Sequence, residues 1–115
     1  MAILEKTGGS DHTNVATALN NLAGLYVAQG RYAETEPLYK RALEINENAL
    51  GPDHPEVARN LSNLTMLYWS QGRYAEAEPL LKRVLEARER VLGKQHADTL
   101  SVMHNLAELY QAQGR

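Results

Sequence analysis

The chain has 115 residues, 43% of them hydrophobic and 23% charged, a composition typical of folded globular proteins rather than disordered or membrane ones. No apolar run approaches the roughly 20 residues that span a bilayer and no signal peptide is recognisable, so a cytoplasmic location without a membrane partner is expected. A formal charge of −2 gives no electrostatic reason for a nucleic-acid partner, and the absence of cysteine removes disulfides and thiol catalysis.

Taken in chain order, the periodicity predicts helices and no strands. A first helix is expected over about Thr13 to Gln29 and a second over Tyr32 to Leu50. In the third, Val57, Ala58, Leu61, Leu64, Thr65 and Tyr68 form one apolar stripe, with Pro55 suited to the first turn and Gln71-Gly72 ending the run. A fourth helix runs from Tyr74 to Leu92, with Ala77, Leu80, Leu81, Val84, Leu85 and Leu92 apolar, and stops at Gly93. Pro37 and Pro79 lie early in the second and fourth helices, where a mild bend rather than a break is expected. A last stripe, Leu100, Met103, Leu106, Ala107, Leu109 and Tyr110, marks a fifth helix.

These helices belong to a repeat. Residues 12–53 and 54–95 align without a gap at an offset of 42, with 24 of the 42 positions identical, and a third copy opens at His96. Residues 96–115 hold only its first helix. Residues 1–11 align with the tail of a preceding copy, since Ile3-Leu4-Glu5-Lys6 and Gly9-Ser10-Asp11-His12 match the stretch from Ile45 to His54. The chain therefore reads as a single array of about two and a half repeats, a segment of a longer one, with Met1 an added start. A repeat of this length implies an all-α solenoid of helix pairs, each burying its apolar face against its neighbours.

The motifs inside the repeat resemble the tetratricopeptide (TPR) family. Leu22-Ala23-x-x-Tyr26, Gly30-x-Tyr32 and Ala42-Leu43 follow its pattern, and Leu64, Tyr68, Gly72, Tyr74, Val84 and Leu85 repeat most of it. The 42-residue unit, Leu-Asn-Asn-Leu-Ala at 19–23, Glu-Pro-Leu-Tyr-Lys-Arg-Ala-Leu-Glu-Ile at 36–45 and Leu-Gly-Pro-Asp-His-Pro at 50–55 resemble the kinesin light chain-like branch. The resemblance implies a superhelical solenoid of antiparallel helix pairs whose first helices line a concave, peptide-binding groove.

The face opposite the apolar stripes is where a binding surface is expected. Thr17, Asn21, Gly24 and Ala28 recur as Arg59, Asn63, Met66 and Ser70, and as Ser101, Asn105, Glu108 and Ala112. Asparagine is a mediocre helix former, yet it holds the same mid-helix position at Asn21, Asn63 and Asn105. Such amides could hold a peptide backbone or bond the neighbouring repeat. The resemblance implies a peptide-binding role for these asparagines, for Thr17, Arg59 and Ser101 four residues before them, and for Asn46 and Arg88 near the ends of the second helices. Met66 and Glu108 vary between copies, as would suit selectivity. Cargo peptides of that family are aromatic with acidic flanks, a preference that Arg59 and Arg88 match only in part; the alternative for both is a solvated side chain or a surface ion pair.

Other constellations point to structure. His12, His54 and His96 recur once per repeat, and helices packed about 8 to 10 Å apart hold them too far from one another for a shared metal at about 2 Å, so they are expected to cap the following helices. Tyr26, Tyr68, Tyr110, Tyr32 and Tyr74 read as packing residues; Trp69, which has no aromatic counterpart in the other copies, either flanks the groove or fills a gap between repeats, with packing the favoured reading. His104 lies beside the asparagines and reads as a surface residue, with contact to a ligand as the alternative. No phosphate loop, nucleophile with a base, or paired carboxylates appear, so no enzyme activity, cofactor or metal is expected.

Two functions follow. One is a protein–protein interaction module binding a short peptide of a partner protein. The other is a structural spacer or self-assembly segment of a larger protein, with no ligand of its own. The uncapped terminal helices imply packing against another molecule, head-to-tail or as a symmetric homodimer.

Overall fold

The computed structural model describes residues 10–114, with side chains from Thr13 onward. Among them are five helices and no strand: α1 (Ser10–Ala28), α2 (Tyr32–Leu50), α3 (Pro55–Ser70), α4 (Tyr74–Leu92) and α5 (Ala97–Ala112). The chain divides into two compact units, residues 1–60 and 61–115, with the division inside α3. His12 as a cap lies outside the described side chains.

In unit one, α1 and α2 form an antiparallel hairpin closed by Gln29, Gly30 and Arg31. Gly30 adopts φ +72°, and the turn satisfies two helix carbonyls: Gly30 N–H donates to Val27 at 3.0 Å and Arg31 N–H to Tyr26 at 2.8 Å. This is a Schellman arrangement, which stops α1 where only glycine is free of Cβ strain. Arg31 then folds over its own turn, its guanidinium 4.4 Å from the Tyr26 ring centroid and its Nε donating to Glu34 at 2.9 Å. That carboxylate raises the Arg31 pKa above its ordinary value. The hairpin core is Val15, Ala16, Leu19 and Ala42, with Leu38 and Ile45 against it. α2 runs through Pro37 without interruption. The chain is already helical at Ser10, three residues before the expected Thr13.

α3 starts as its sequence predicts. Pro55 needs no hydrogen-bond partner, and the next N–H, of Glu56, donates to His54 Nδ1 at 3.1 Å. Unit one also contains a polar contact between helices: Asn46 Nδ2 on α2 donates to Asn60 Oδ1 on α3 at 2.7 Å, both side chains being buried.

Unit two repeats the turn and adds a helix. Gly72 has φ +73°, Arg73 N–H donates to Tyr68 at 2.8 Å, and the Arg73 guanidinium lies 4.4 Å from the Tyr68 ring centroid while its Nε donates to Glu76 at 2.8 Å. The identity of the Gln-Gly-Arg-Tyr-Ala-Glu run in both copies thus has a physical cause. Leu61, Leu64, Leu67 and Tyr68 on α3, Ala77, Leu81, Val84 and Ala87 on α4, and Val102 and Leu109 on α5 are buried. α5 packs on α4 and is capped by His96, whose Nδ1 accepts from Asp98 N–H at 3.1 Å. Buried Thr65 and Thr99 donate to the carbonyls of Leu61 and Gly93, so neither hydroxyl is left unsatisfied. None of the described helices is long and apolar enough to cross a membrane.

Candidate functional site

The helical period turns the predicted polar face outward in each unit. In unit one Thr17, Asn21 and Arg59 are exposed; Thr17 Oγ1 donates back to Thr13 at 3.1 Å, and Arg59 pairs with Glu56 at 3.1 Å. Asn46 departs from the expectation carried by the resemblance. It is only 3% exposed and bound to Asn60, so it holds two helices together rather than facing a ligand.

Unit two contains a cleft of about 470 Å³. The α3 segment supplies Ser62, Thr65, Met66, Trp69 and Ser70, α4 supplies Leu81 and α5 supplies Asn105 and Glu108. Ser62, Met66 and Trp69 fall at i, i+4 and i+7, and Asn105 and Glu108 at i and i+3, so two helix faces turn toward a common space above Leu81. Leu81 is buried and forms the floor, while Met66 is 70% exposed and forms an apolar wall. Trp69 is half-buried and held edge-on to Tyr74, with ring centroids 5.9 Å apart and an interplanar angle of 86°. That contact constrains the orientation of the indole.

The polar groups of the cleft are few. Thr65 and Ser70 spend their hydroxyls on the carbonyls of Leu61 and Leu67, at 2.7 and 2.8 Å. Glu108 Oε1 lies 2.6 Å from His104 Nε2 on the exposed side of α5. Lys82, next to Leu81, is held by Glu78 at 2.9 Å, and this hydrogen bond, with a smaller contribution from Tyr110, raises its pKa above the ordinary lysine value. Among the described residues no group of three His, Asp or Glu side chains could hold a metal ion.

Of the predicted positions, Met66, Asn105 and Glu108 come together in this cleft, whereas half-buried Asn63 and Arg88 and exposed Ser101 do not line it. Leu81, Ser62 and Thr65 carry no binding expectation from the sequence, and Trp69 carries one only as the alternative to packing. For Trp69 the available signal was its lack of an aromatic counterpart at Val27 and Gln111; Leu81 carried none, being one more residue of an apolar stripe.

Comparison with known proteins agrees with this architecture. A family model described as tetratricopeptide repeat matches residues 14–90 and 66–115. A kinesin light chain-like protein of Podosopora anserina with nearly identical TPR-like repeats is 31% identical, with a TM-score of 0.81 over 98% of this chain and 54% of that one. BtubC (BKLC) from P. vanneervenii is 30% identical, with a TM-score of 0.75 over 85% of this chain and 39% of that one. This chain thus spans about half the length of these proteins or less. No curated protein matches it. With five helices among its described residues, a 42-residue unit and glycine-arginine turns, the chain belongs to the tetratricopeptide repeat family, in its kinesin light chain-like form.

Proposed function

We propose that this chain is a protein–protein interaction module that holds a short peptide segment of a partner in the cleft of unit two. Tetratricopeptide repeats generally mediate contacts between proteins and are scaffolds rather than enzymes, which supports the class of the reading. The observation that carries it further is the convergence of Met66, Trp69 and Leu81 with the Asn105 amide: an apolar recess beside a group able both to donate to and accept from a peptide backbone. Among the described residues the Asn105 amide has no intramolecular partner and is exposed. Asn63, Arg88 and Ser101 belong to the same proposal as outlying contacts within unit two, and Thr17, Asn21 and Arg59 are proposed as a peptide-contacting face of unit one by itself.

The test is selection from a random peptide display library, followed by titration of the winning peptides. Trp69 is the only tryptophan, so its emission reports the cleft directly. Enrichment of a motif that Met66→Glu abolishes and Asn63→Leu weakens, with both variants retaining helical circular dichroism, is the expected result. Absence of enrichment with the wild-type chain folded would leave the spacer reading in its place.

The self-assembly reading has its own observation. Leu25 on α1 is 60% exposed, while Leu67 and Leu109, at the same repeat position, are buried. Leu25 is thus an apolar position left largely uncovered among the described residues. Sedimentation equilibrium decides the matter: self-association lost on Leu25→Lys supports it, and a strictly monomeric mass at high concentration removes it.

A further inference from the structure

We infer that the cleft of unit two selects a basic side chain of the partner peptide, arginine ahead of lysine, with its stem against Met66, Leu81 and Trp69 and its charge at Glu108. The inference rests on the peptide-binding reading above and gives it a ligand chemistry.

Charge complementarity carries it. Of the residues lining the cleft, Glu108 alone bears a formal charge. Lys82, the cation next to the buried floor residue Leu81, is held by Glu78, and Arg73 is held by Glu76 and stacked on Tyr68, so neither offsets the carboxylate within the cleft. Glu108 uses Oε1 to accept from His104 Nε2, and Oε2 has no partner among the described residues. An open carboxylate oxygen beside an apolar recess is complementary to a side chain that is apolar along its length and cationic at its end.

Arginine satisfies each contact at once. Its methylene stem lies against Leu81 and Met66, its planar guanidinium stacks on the indole of Trp69, and its N–H donors reach Glu108 and the Asn105 carbonyl. Lysine offers the same stem with a compact, more strongly hydrated charge. A peptide with an acidic residue at this point would bring a second carboxylate toward Glu108. The cleft therefore disfavours the acidic flanks that the family resemblance implies.

The experiment uses the full chain and a random peptide display library, selected in parallel on wild type, Glu108→Lys and Met66→Glu. The best peptide is then titrated by Trp69 emission beside a version with its basic residue replaced by glutamate. Wild type should enrich arginine at one fixed position, and Glu108→Gln should weaken that peptide about tenfold, with Glu108→Lys losing more. Both ends of the His104–Glu108 pair are exposed, so these variants should fold as wild type does. Enrichment of neutral or acidic peptides that Met66→Glu abolishes would overturn the basic preference while leaving the peptide cleft standing. Enrichment of arginine insensitive to Glu108→Lys would overturn it too. No enrichment from a folded wild-type chain would remove both readings.

Discussion

Asn46 donates its amide to Asn60 Oδ1 at 2.7 Å, and the two side chains are 3% and 1% exposed. The second hydrogen-bonding atom of this pair, Asn60 Nδ2, has no partner among the described residues. One repeat later the same positions hold Arg88 and Val102, so this contact occurs once in the chain. Truncating one partner strands a buried polar group, and Asn46→Ala should cost about 1 to 3 kcal/mol. Replacing both by leucine should be much milder than the sum of the single changes, because no polar atom is then buried. Urea unfolding of Asn46→Leu, Asn60→Leu and the double variant, read as a thermodynamic cycle, measures the coupling.

Two glycines separate local strain from helix propensity. Gly72 sits at φ +73° in the α3–α4 turn, and Gly72→Ala should destabilise by about 1 to 2 kcal/mol through αL strain. Gly24 lies in the exposed interior of α1, where a Cβ would meet nothing within 4 Å. Gly24→Ala should stabilise by about 0.5 to 1 kcal/mol. Opposite shifts of the thermal midpoint are the expected outcome.

The histidine cap of α3 can be tested by exchange. His54→Ala leaves the Glu56 N–H without its side-chain acceptor and should cost about 1 kcal/mol, whereas His54→Asn supplies another acceptor and should recover most of it. Chemical denaturation midpoints distinguish the two.

Burial pushes the Tyr39 phenol above its ordinary pKa. The folded state therefore holds the proton more firmly than the unfolded chain. The stabilisation is fully present below the unfolded value near 10 and is lost as pH rises through the folded value. Tyr39→Phe should flatten this alkaline loss, seen as a smaller fall of the unfolding midpoint between about pH 9 and 11.

The helices were legible because their burial follows a period that sequence displays: each of Val57, Ala58, Leu61, Leu64, Thr65 and Tyr68 is buried in the structure. The register of the polar face was likewise enough to bring Met66, Asn105 and Glu108 to one cleft. What stayed hidden was of two kinds. Leu81 is a floor residue on one side and a packing residue on the other, and periodicity records only the second role. The bond between Asn46 and Asn60 escaped because comparing copies emphasises what recurs, whereas a contact present in one copy depends on two residues that sequence does not link. The asparagines that do recur proved to be the outward or half-buried ones.

The turn clasps bear on how the chain reaches this fold. The arginine clasp of the first hairpin turn lies between Tyr26 and Glu34, and that of the next between Tyr68 and Glu76. Closing so short a loop loses little chain entropy, and contacts of such small sequence separation form early. Each hairpin thus carries its own nucleus. A chain cut or lengthened by whole repeats would keep as many starting points for folding as it keeps clasps, so its folding rate would depend little on how many copies it contains.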